Sequence, residues 1–360
     1  MHILHLYKDY HPVLGGIENH IRVLAEAQAA AGHLVTVLVC DPARRTRTEE
    51  LNGVKVIKAG RLTTAASMPL SLAQPIVLAR LRPDVVHIHS PYPLGEVANW
   101  LLGRARATVI THHSDVVRQR GWLRLYGPLL RHIHRVADRI IATSPRYIET
   151  SPWLRPLREK CVVVPLGVEV DRFARERVRQ PGTELLFVGK LRYYKGVDDL
   201  LRALVEVPMA RLTVVGDGPM RDEWEALARQ LGLADRVTFT GQVPDDELPA
   251  RYAAADLFVL PANARAEAFG TVLLEAMAAG LPCITTEVGT GTSWVVQHGV
   301  TGLVVPPRNP QALAEAVRQL LANPEACRRM GQQGQQRARQ EFSQQRMVQR
   351  VMELYQAVLA

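Results

Sequence analysis

Two glutamates bracket the segment Glu267-Ala-Phe-Gly-Thr-Val-Leu-Leu-Glu275, which runs on into Ala276-Met-Ala-Ala-Gly-Leu-Pro282. The apolar run predicts a helix, with Glu267 and Phe269-Gly270-Thr271 just before or within its first turn. Unpaired backbone N–H groups and the positive end of the helix dipole would there face an incoming anion. Glu275 is expected two turns further on, on nearly the same face as Glu267. Ionised carboxylates accept hydrogen bonds from both hydroxyls of a vicinal diol, so such a pair suits a sugar or a ribose. Pattern alone leaves a plainer alternative: an acidic residue favoured at a helix start and a second one on a solvated face.

Phe187-Val-Gly-Lys190-Leu-Arg192-Tyr-Tyr-Lys195-Gly196 reads as a strand entering a glycine turn with three cations, Lys190, Arg192 and Lys195. Opposite a helix N-terminus these suit a diphosphate. Val215-Gly216-Asp217-Gly218-Pro219 closes another strand on two glycines, which let a ligand approach the backbone. Near the start, Gly15-Gly16-Ile-Glu18 joins a strand to a helix and offers the same close approach. Thr111-His112-His113 ends a strand, so its side chains emerge at that strand's edge. His87 and His89 share one strand face, a pairing that bears on metal binding. With no Cys or carboxylate ligand nearby, they are read as hydrogen-bonded strand histidines, and no metal site is assigned. The chain also has no D-x-D triplet, so no dedicated divalent-metal site for a diphosphate is advertised.

Arg118, Arg120, Arg124, Arg131, Arg135 and Arg139 alternate with Trp122, Leu123, Leu125, Tyr126 and further aliphatics. That mixture describes either an interfacial amphipathic helix or a core helix with a solvated basic face. The charge distribution favours the membrane surface, with Arg118, Arg120, Trp122 and Arg124 as the contact residues.

The elements that must position these groups follow from periodicity. Unalternating apolar strands are expected at 2–6, 35–40, 54–59, 84–89, 108–111, 139–143 and 160–164, separated by helix-length segments. A second series follows at 184–188, 211–215, 237–240, 257–260, 282–285 and 302–305. Strands of this kind alternating with helices form parallel sheets covered on both faces. The fold class is therefore α/β, with two Rossmann-like domains whose parallel sheets face a central cleft. Residues 1–165 form the first domain and 166–342 the second. The last helix, about 343–360, carries one packed face and is a candidate to pack back on the first domain.

With 360 residues, 47% hydrophobic and 22% charged, the chain has the balance of a globular protein of two domains. Its four cysteines, Cys40, Cys161, Cys283 and Cys327, form no C-x-x-C pair, which disfavours a disulfide framework or structural zinc and fits a reducing cytosol. Neither a signal peptide nor a membrane-spanning run is visible. The whole net charge of +9 resides in residues 1–170, which implies an anionic partner for that half. A nucleic acid is disfavoured because aromatics are sparse, no binding motif appears and the second half is neutral. A nicotinamide oxidoreductase is disfavoured because no G-x-G-x-x-G follows the first strand.

Taken together, these segments resemble the family 4 glycosyltransferases of the GT-B fold. Gly15-Gly16-Ile-Glu, Asp84-Val-Val-His-Ile-His, Thr111-His-His, Ala137-Asp-Arg-Ile-Ile-Ala-Thr-Ser144, Val164-Pro-Leu-Gly-Val, Val188-Gly-Lys-Leu, Lys195-Gly, Val215-Gly-Asp-Gly-Pro and the Glu267 to Glu275 element fall in the family's order across essentially the whole chain. The resemblance implies a retaining, metal-independent hexosyltransferase with no cofactor beyond its nucleotide-sugar co-substrate. It also implies that the first domain binds the acceptor and the second the nucleotide sugar. Glu275 would hold the ribose and Glu267 the sugar ring. Phe269, Gly270 and Thr271 would offer backbone to the sugar and diphosphate, and Lys190 and Lys195 would bind the β-phosphate, with Gly16 approaching it. His113 would reach toward the donor sugar. The family usually has Arg at the position of Lys190, so bidentate phosphate contact is lost there and the burden shifts to Lys195 or Arg192.

Gly289-Thr-Gly-Thr-Ser293-Trp with Thr301-Gly-Leu-Val-Val-Pro is similar to transferases that build bacterial polysaccharides on lipid carriers from GDP-mannose-type donors, including mannosyl- and rhamnosyltransferases. The expected partners are a nucleotide sugar, a lipid-linked glycan and an anionic membrane surface, with no nucleic acid. The expected place is the cytoplasm, peripheral on the inner face of the cytoplasmic membrane. The alternative is a non-catalytic nucleotide-sugar-binding protein.

Overall fold

A computed structural model describes the chain apart from residues 14, 66–67, 116–119 and 175–181, and describes 65 and 120–125 by backbone alone. Two compact units result: residues 1–165 with 347–360, and residues 166–346.

The first unit is built on β1 (His2–Leu6), β2 (Leu34–Asp41), β3 (Arg47–Leu51), β4 (Val54–Gly60), β7 (Val85–Ser90), β8 (Ala107–His112), β9 (Arg139–Ala142) and β10 (Cys161–Val163). Two three-residue strands, β5 (Thr63–Ala65) and β6 (Met68–Leu70), pair antiparallel by themselves. The large sheet runs β10-β9-β8-β7-β1-β2-β4-β3 and is parallel except for the β3–β4 pair. Among its central strands β7 is buried along its whole length and β2 along all but its first residue, as double coverage by helices demands. One face packs Leu4, Leu6, Leu38, Ile57, Val86 and Ile88 against helices. On the other, Ile3, Val85, Val109 and Ile141 meet Met347, Val351, Leu354 and Tyr355 of the last helix, Gln344–Leu359.

The second unit holds β11 (Glu184–Val188), β12 (Arg211–Val215), β13 (Val237–Gly241), β14 (Leu257–Leu260), β15 (Cys283–Thr286) and β16 (Gly302–Val305), all parallel, in the order β13-β12-β11-β14-β15-β16. Chain order reverses between β11 and β14. In the first unit it reverses between β1 and β7. Open parallel sheets bind ligands outside the strand C-termini at such switch points.

Candidate functional site

In the second unit, the chain leaves β11 through Gly189-Lys190 into the short turn Tyr193–Lys195, and leaves β14 through Pro261 into a loop bearing Glu267. Because β11 and β14 are neighbours, the two loops meet. The backbone N–H of Asn263 donates to the Tyr194 carbonyl at 2.9 Å. Gly196, at φ +68°, caps the helix Val197–Val205, and a Cβ there would stand 2.0 Å from the Pro261 carbonyl oxygen. Only glycine admits both that conformation and that approach. The contact brings Lys195 Nζ to 2.6 Å from Glu267 Oε2, with both side chains about one-tenth exposed.

Burial opposes the charge on Lys195, but Glu267 beside it, with Tyr194 and Glu275, outweighs burial and raises its pKa. The lysine is held as a cation. An ammonium has three donors, so pairing with one carboxylate leaves two for an incoming phosphate.

Glu267 is fixed through its backbone: Thr290 Oγ1 donates to its carbonyl at 2.7 Å, and Gly291 N–H donates to Ala268 O at 2.8 Å. Phe269 is buried, edge-on to Phe342. Gly270, at φ +80°, caps the helix Thr271–Ala278. The helix therefore begins after Glu267, and the expectation that Glu267 and Glu275 share a helix face is corrected. Glu267 sits in the loop, placed by its ion pair, and Glu275 alone is helical. The half-buried Glu275 accepts a 2.6 Å hydrogen bond from Tyr252 Oη. Burial pushes its pKa up to about 7, against the pull of Tyr252, Arg172 and Lys195 and with the push of Asp245.

Lys190 and Arg192 are exposed on the same turn. Gly216 and Gly218 follow β12 and lie against it: Gly189 N–H donates to Val215 O and Leu191 N–H to Asp217 O, each at 2.9 Å. Lys195, Glu267, Gly270 and Thr271 thus gather at one switch point, and the cations and glycines at 190–192 and 216–218 line the adjoining loops.

In the first unit, Gly15 caps the helix Gly16–Ala30 and both glycines are exposed. His113 is buried just past β8. Its Nε2 lies 3.0 Å from His89 Nδ1, His89 Nε2 lies 3.1 Å from His5 Nδ1, and His5 Nε2 lies 2.8 Å from Gln28 Oε1. His87 is tied separately, to Thr111 Oγ1 and Tyr355 Oη, each at 2.6 Å. Burial drives the pKa values of His5, His20, His87, His89 and His113 down, so all five imidazoles are neutral at neutral pH. Arg118 lies outside the described residues. Arg120, Trp122 and Arg124 fall on the helix Arg120–Val136 in the part described by backbone alone.

Residues 14–172 match the family described as Glycosyltransferase Family 4, and residues 171–337 the family described as Glycosyl transferases group 1. The chain is 38% identical to the D-rhamnosyltransferase WbpZ of Pseudomonas aeruginosa over 95% of its own length and 92% of that protein's. The chain belongs to the family 4 glycosyltransferases. It is also 34% identical to the O-antigen chain mannosyltransferase C of Escherichia coli over 100% of this chain and 99% of that one. The solved structure of Anabaena HepE in complex with UDP-glucose superimposes with a TM-score of 0.79 at 20% identity, covering 99% and 100% of the two chains. The glycosyltransferase thus has the GT-B fold that its motifs suggest.

Sequence reasoning missed Tyr252, the hydrogen-bond partner of Glu275, and Thr290, the anchor of the Glu267 loop. It also missed His5, His20 and Gln28 around His89. The signal for His5 was present, since a histidine inside an apolar strand must find a partner. Its partner is visible only once β1 is known to lie beside β7.

Proposed function

We propose that this glycosyltransferase moves a sugar, with retention of configuration, from a GDP-mannose-type donor to a lipid-linked glycan in cell-surface polysaccharide synthesis. The observation that carries the reading is the buried Lys195–Glu267 pair beside the helix Thr271–Ala278 at the switch point of the second unit. The relatives support the sugar: one is named for mannose and the other for D-rhamnose, which is 6-deoxy-D-mannose.

In this reading Glu275 takes the ribose diol and Glu267 the hydroxyls of the transferred sugar. Lys195, with Lys190 and Arg192 on the same turn, takes the diphosphate with the backbone of Phe269, Gly270 and Thr271. As the anomeric C–O bond breaks, the ring gains positive charge and the departing diphosphate negative charge. A fixed cation and a helix N-terminus at the leaving group stabilise that separation and take the place of a divalent ion. The acceptor oxygen bonds to the anomeric carbon on the face the diphosphate leaves, and its proton passes to the leaving phosphate oxygen. No enzyme nucleophile is required. We assign His113 to the donor sugar and Gly15 and Gly16 to the phosphate through the family resemblance. Among the described residues no helix is long and apolar enough to cross a membrane. Contact with the lipid-linked acceptor would therefore be at the surface of the inner leaflet, through the basic helix.

The test is a donor screen. GDP-mannose and GDP-rhamnose should raise the thermal midpoint and be consumed in the presence of a polyprenyl-diphosphate glycan. Turnover of UDP-glucose alone would overturn the donor, and transfer only to soluble acceptors would overturn the lipid link.

A further inference from the structure

The histidines of the first unit gather at its own switch point, between β1 and β7, and one of them is unlike the rest. His20, on the helix Gly16–Ala30, is 8% exposed, yet neither ring nitrogen has a hydrogen-bond partner. It stands edge-on to His113 and His89, with ring centroids 5.2 and 5.7 Å away. A buried imidazole with both nitrogens unmet forfeits the hydrogen bonds that water would supply, and such a group calls for a ligand. The nitrogens of His20, His89 and His113 lie within 4.8 Å of one another.

We propose that His20, His89 and His113 form a binding site for a borderline transition-metal ion of the zinc class. A neutral imidazole carries one lone-pair nitrogen, so each of the three side chains can supply one ligand atom. The set is all nitrogen, which suits zinc, copper or nickel and does not suit magnesium or calcium. His89 Nδ1 and His113 Nε2, now 3.0 Å apart, stand near the roughly 3.3 Å separating two nitrogens bound at about 2.0–2.1 Å to one tetrahedral ion. In the metal-free chain that contact is a hydrogen bond from His113 Nε2–H to His89 Nδ1, so binding would replace it by two metal–nitrogen bonds with the His113 proton moved to its other ring nitrogen, and His20, which no hydrogen bond restrains, would swing in.

The surroundings supply the orientation that metal-bound histidines require. Gln28 Oε1 can only accept, so His5 Nε2 carries the proton and His5 Nδ1 the lone pair. His89 Nε2–H therefore donates to His5, and the lone pair of His89 falls on Nδ1, the atom that faces His113. The neighbouring trio His5, His87 and His89 also lies within 4.8 Å, but all six of its ring nitrogens have hydrogen-bond partners, whereas His20 brings two that have none. Three ligands leave a fourth tetrahedral position open for water or hydroxide.

The experiment uses the full chain. Zinc is titrated after chelation and dialysis, and cobalt(II) serves as a coloured substitute. One equivalent should bind, cobalt should show the intense visible bands of a tetrahedral nitrogen site, and zinc should raise the thermal midpoint. His20→Phe keeps the ring packing and loses no hydrogen bond, so it should fold and bind more weakly by on the order of 10² or more. Gln28→Leu should weaken binding by about tenfold or more through the orientation of His89. His132→Ala, at an exposed histidine, should bind like the parent. Failure of the folded parent to bind one equivalent, or unchanged affinity in His20→Phe, would overturn the site. Resting on the proposed role of His113, bound zinc should also inhibit transfer, reversibly with EDTA. Binding without inhibition would overturn that role and leave the metal site standing.

Discussion

Replacing Lys195 by methionine leaves Glu267 buried and unpaired, and the structure sets how much that costs. At 2.6 Å the pair's attraction is roughly 6 kcal/mol for an effective dielectric of about 20. Removing one partner of a buried ion pair leaves the other charge uncompensated, which costs about 3–5 kcal/mol. Lys195→Met should therefore be less stable than the parent by about that amount at pH 7. Glu267→Gln in the same chain removes the stranded carboxylate and should restore part of the loss. Chemical denaturation of the second unit's transition measures this. Product formation should fall by on the order of 10² in Lys195→Met, because the leaving diphosphate loses a fixed cation. A Lys195→Met variant as stable as the parent, or one with near-parental turnover, would refute the reasoning.

Donor affinity should rise as pH increases through about 7, because Glu275 must ionise to accept both hydroxyls of a diol, and Glu275→Gln should flatten that dependence in a calorimetric titration. The same raised pKa means that Glu275 favours the folded state at acidic pH and that this contribution is lost as pH rises through about 7, so Glu275→Gln should narrow the difference in thermal midpoint between pH 5 and pH 8. Transfer should persist in excess EDTA, and complete loss restored by magnesium or manganese would sink the metal-independent leaving-group reading. Charge reversal at Arg120 and Arg124 should reduce co-sedimentation with anionic vesicles and transfer to lipid-linked acceptor, since each surface cation contributes about 1 kcal/mol, while nucleotide affinity stays unchanged.

Most of the sheet was legible because its strands are buried on both sides and read as unbroken apolar runs: His2–Leu6, Glu184–Val188, Arg211–Val215, Leu257–Leu260 and Gly302–Val305 stand where periodicity puts them. The strand β3 was not legible. Its sequence, Arg47-Thr-Glu-Glu-Leu51, is charged because it is a sheet edge, where charge guards unpaired backbone. The site was readable as a set of residue types and unreadable as a set of partners. Lys195 and Glu267 were each marked out for a ligand, but their contact with one another depends on β14 lying beside β11, and strand order leaves no trace in local sequence. The histidines follow the same rule: His87 and His89 advertise a shared face, while His20 comes from a helix that only the fold brings against them.

The last helix, Gln344–Leu359, completes the core of a unit whose other residues were made long before it. Tyr355 covers His87, and Met347, Val351 and Leu354 cover Ile3, Val85 and Val109. At translation rates of about 5–20 residues per second, residues 166–346 take roughly 10–40 s to emerge, and for that time the part of this sheet face not covered by the helix Gly16–Ala30 lacks its cover. The first unit therefore carries exposed apolar surface until its last helix is made. Loss of the final sixteen residues by a premature stop would leave that surface permanently without its cover, whatever the state of the transferase site.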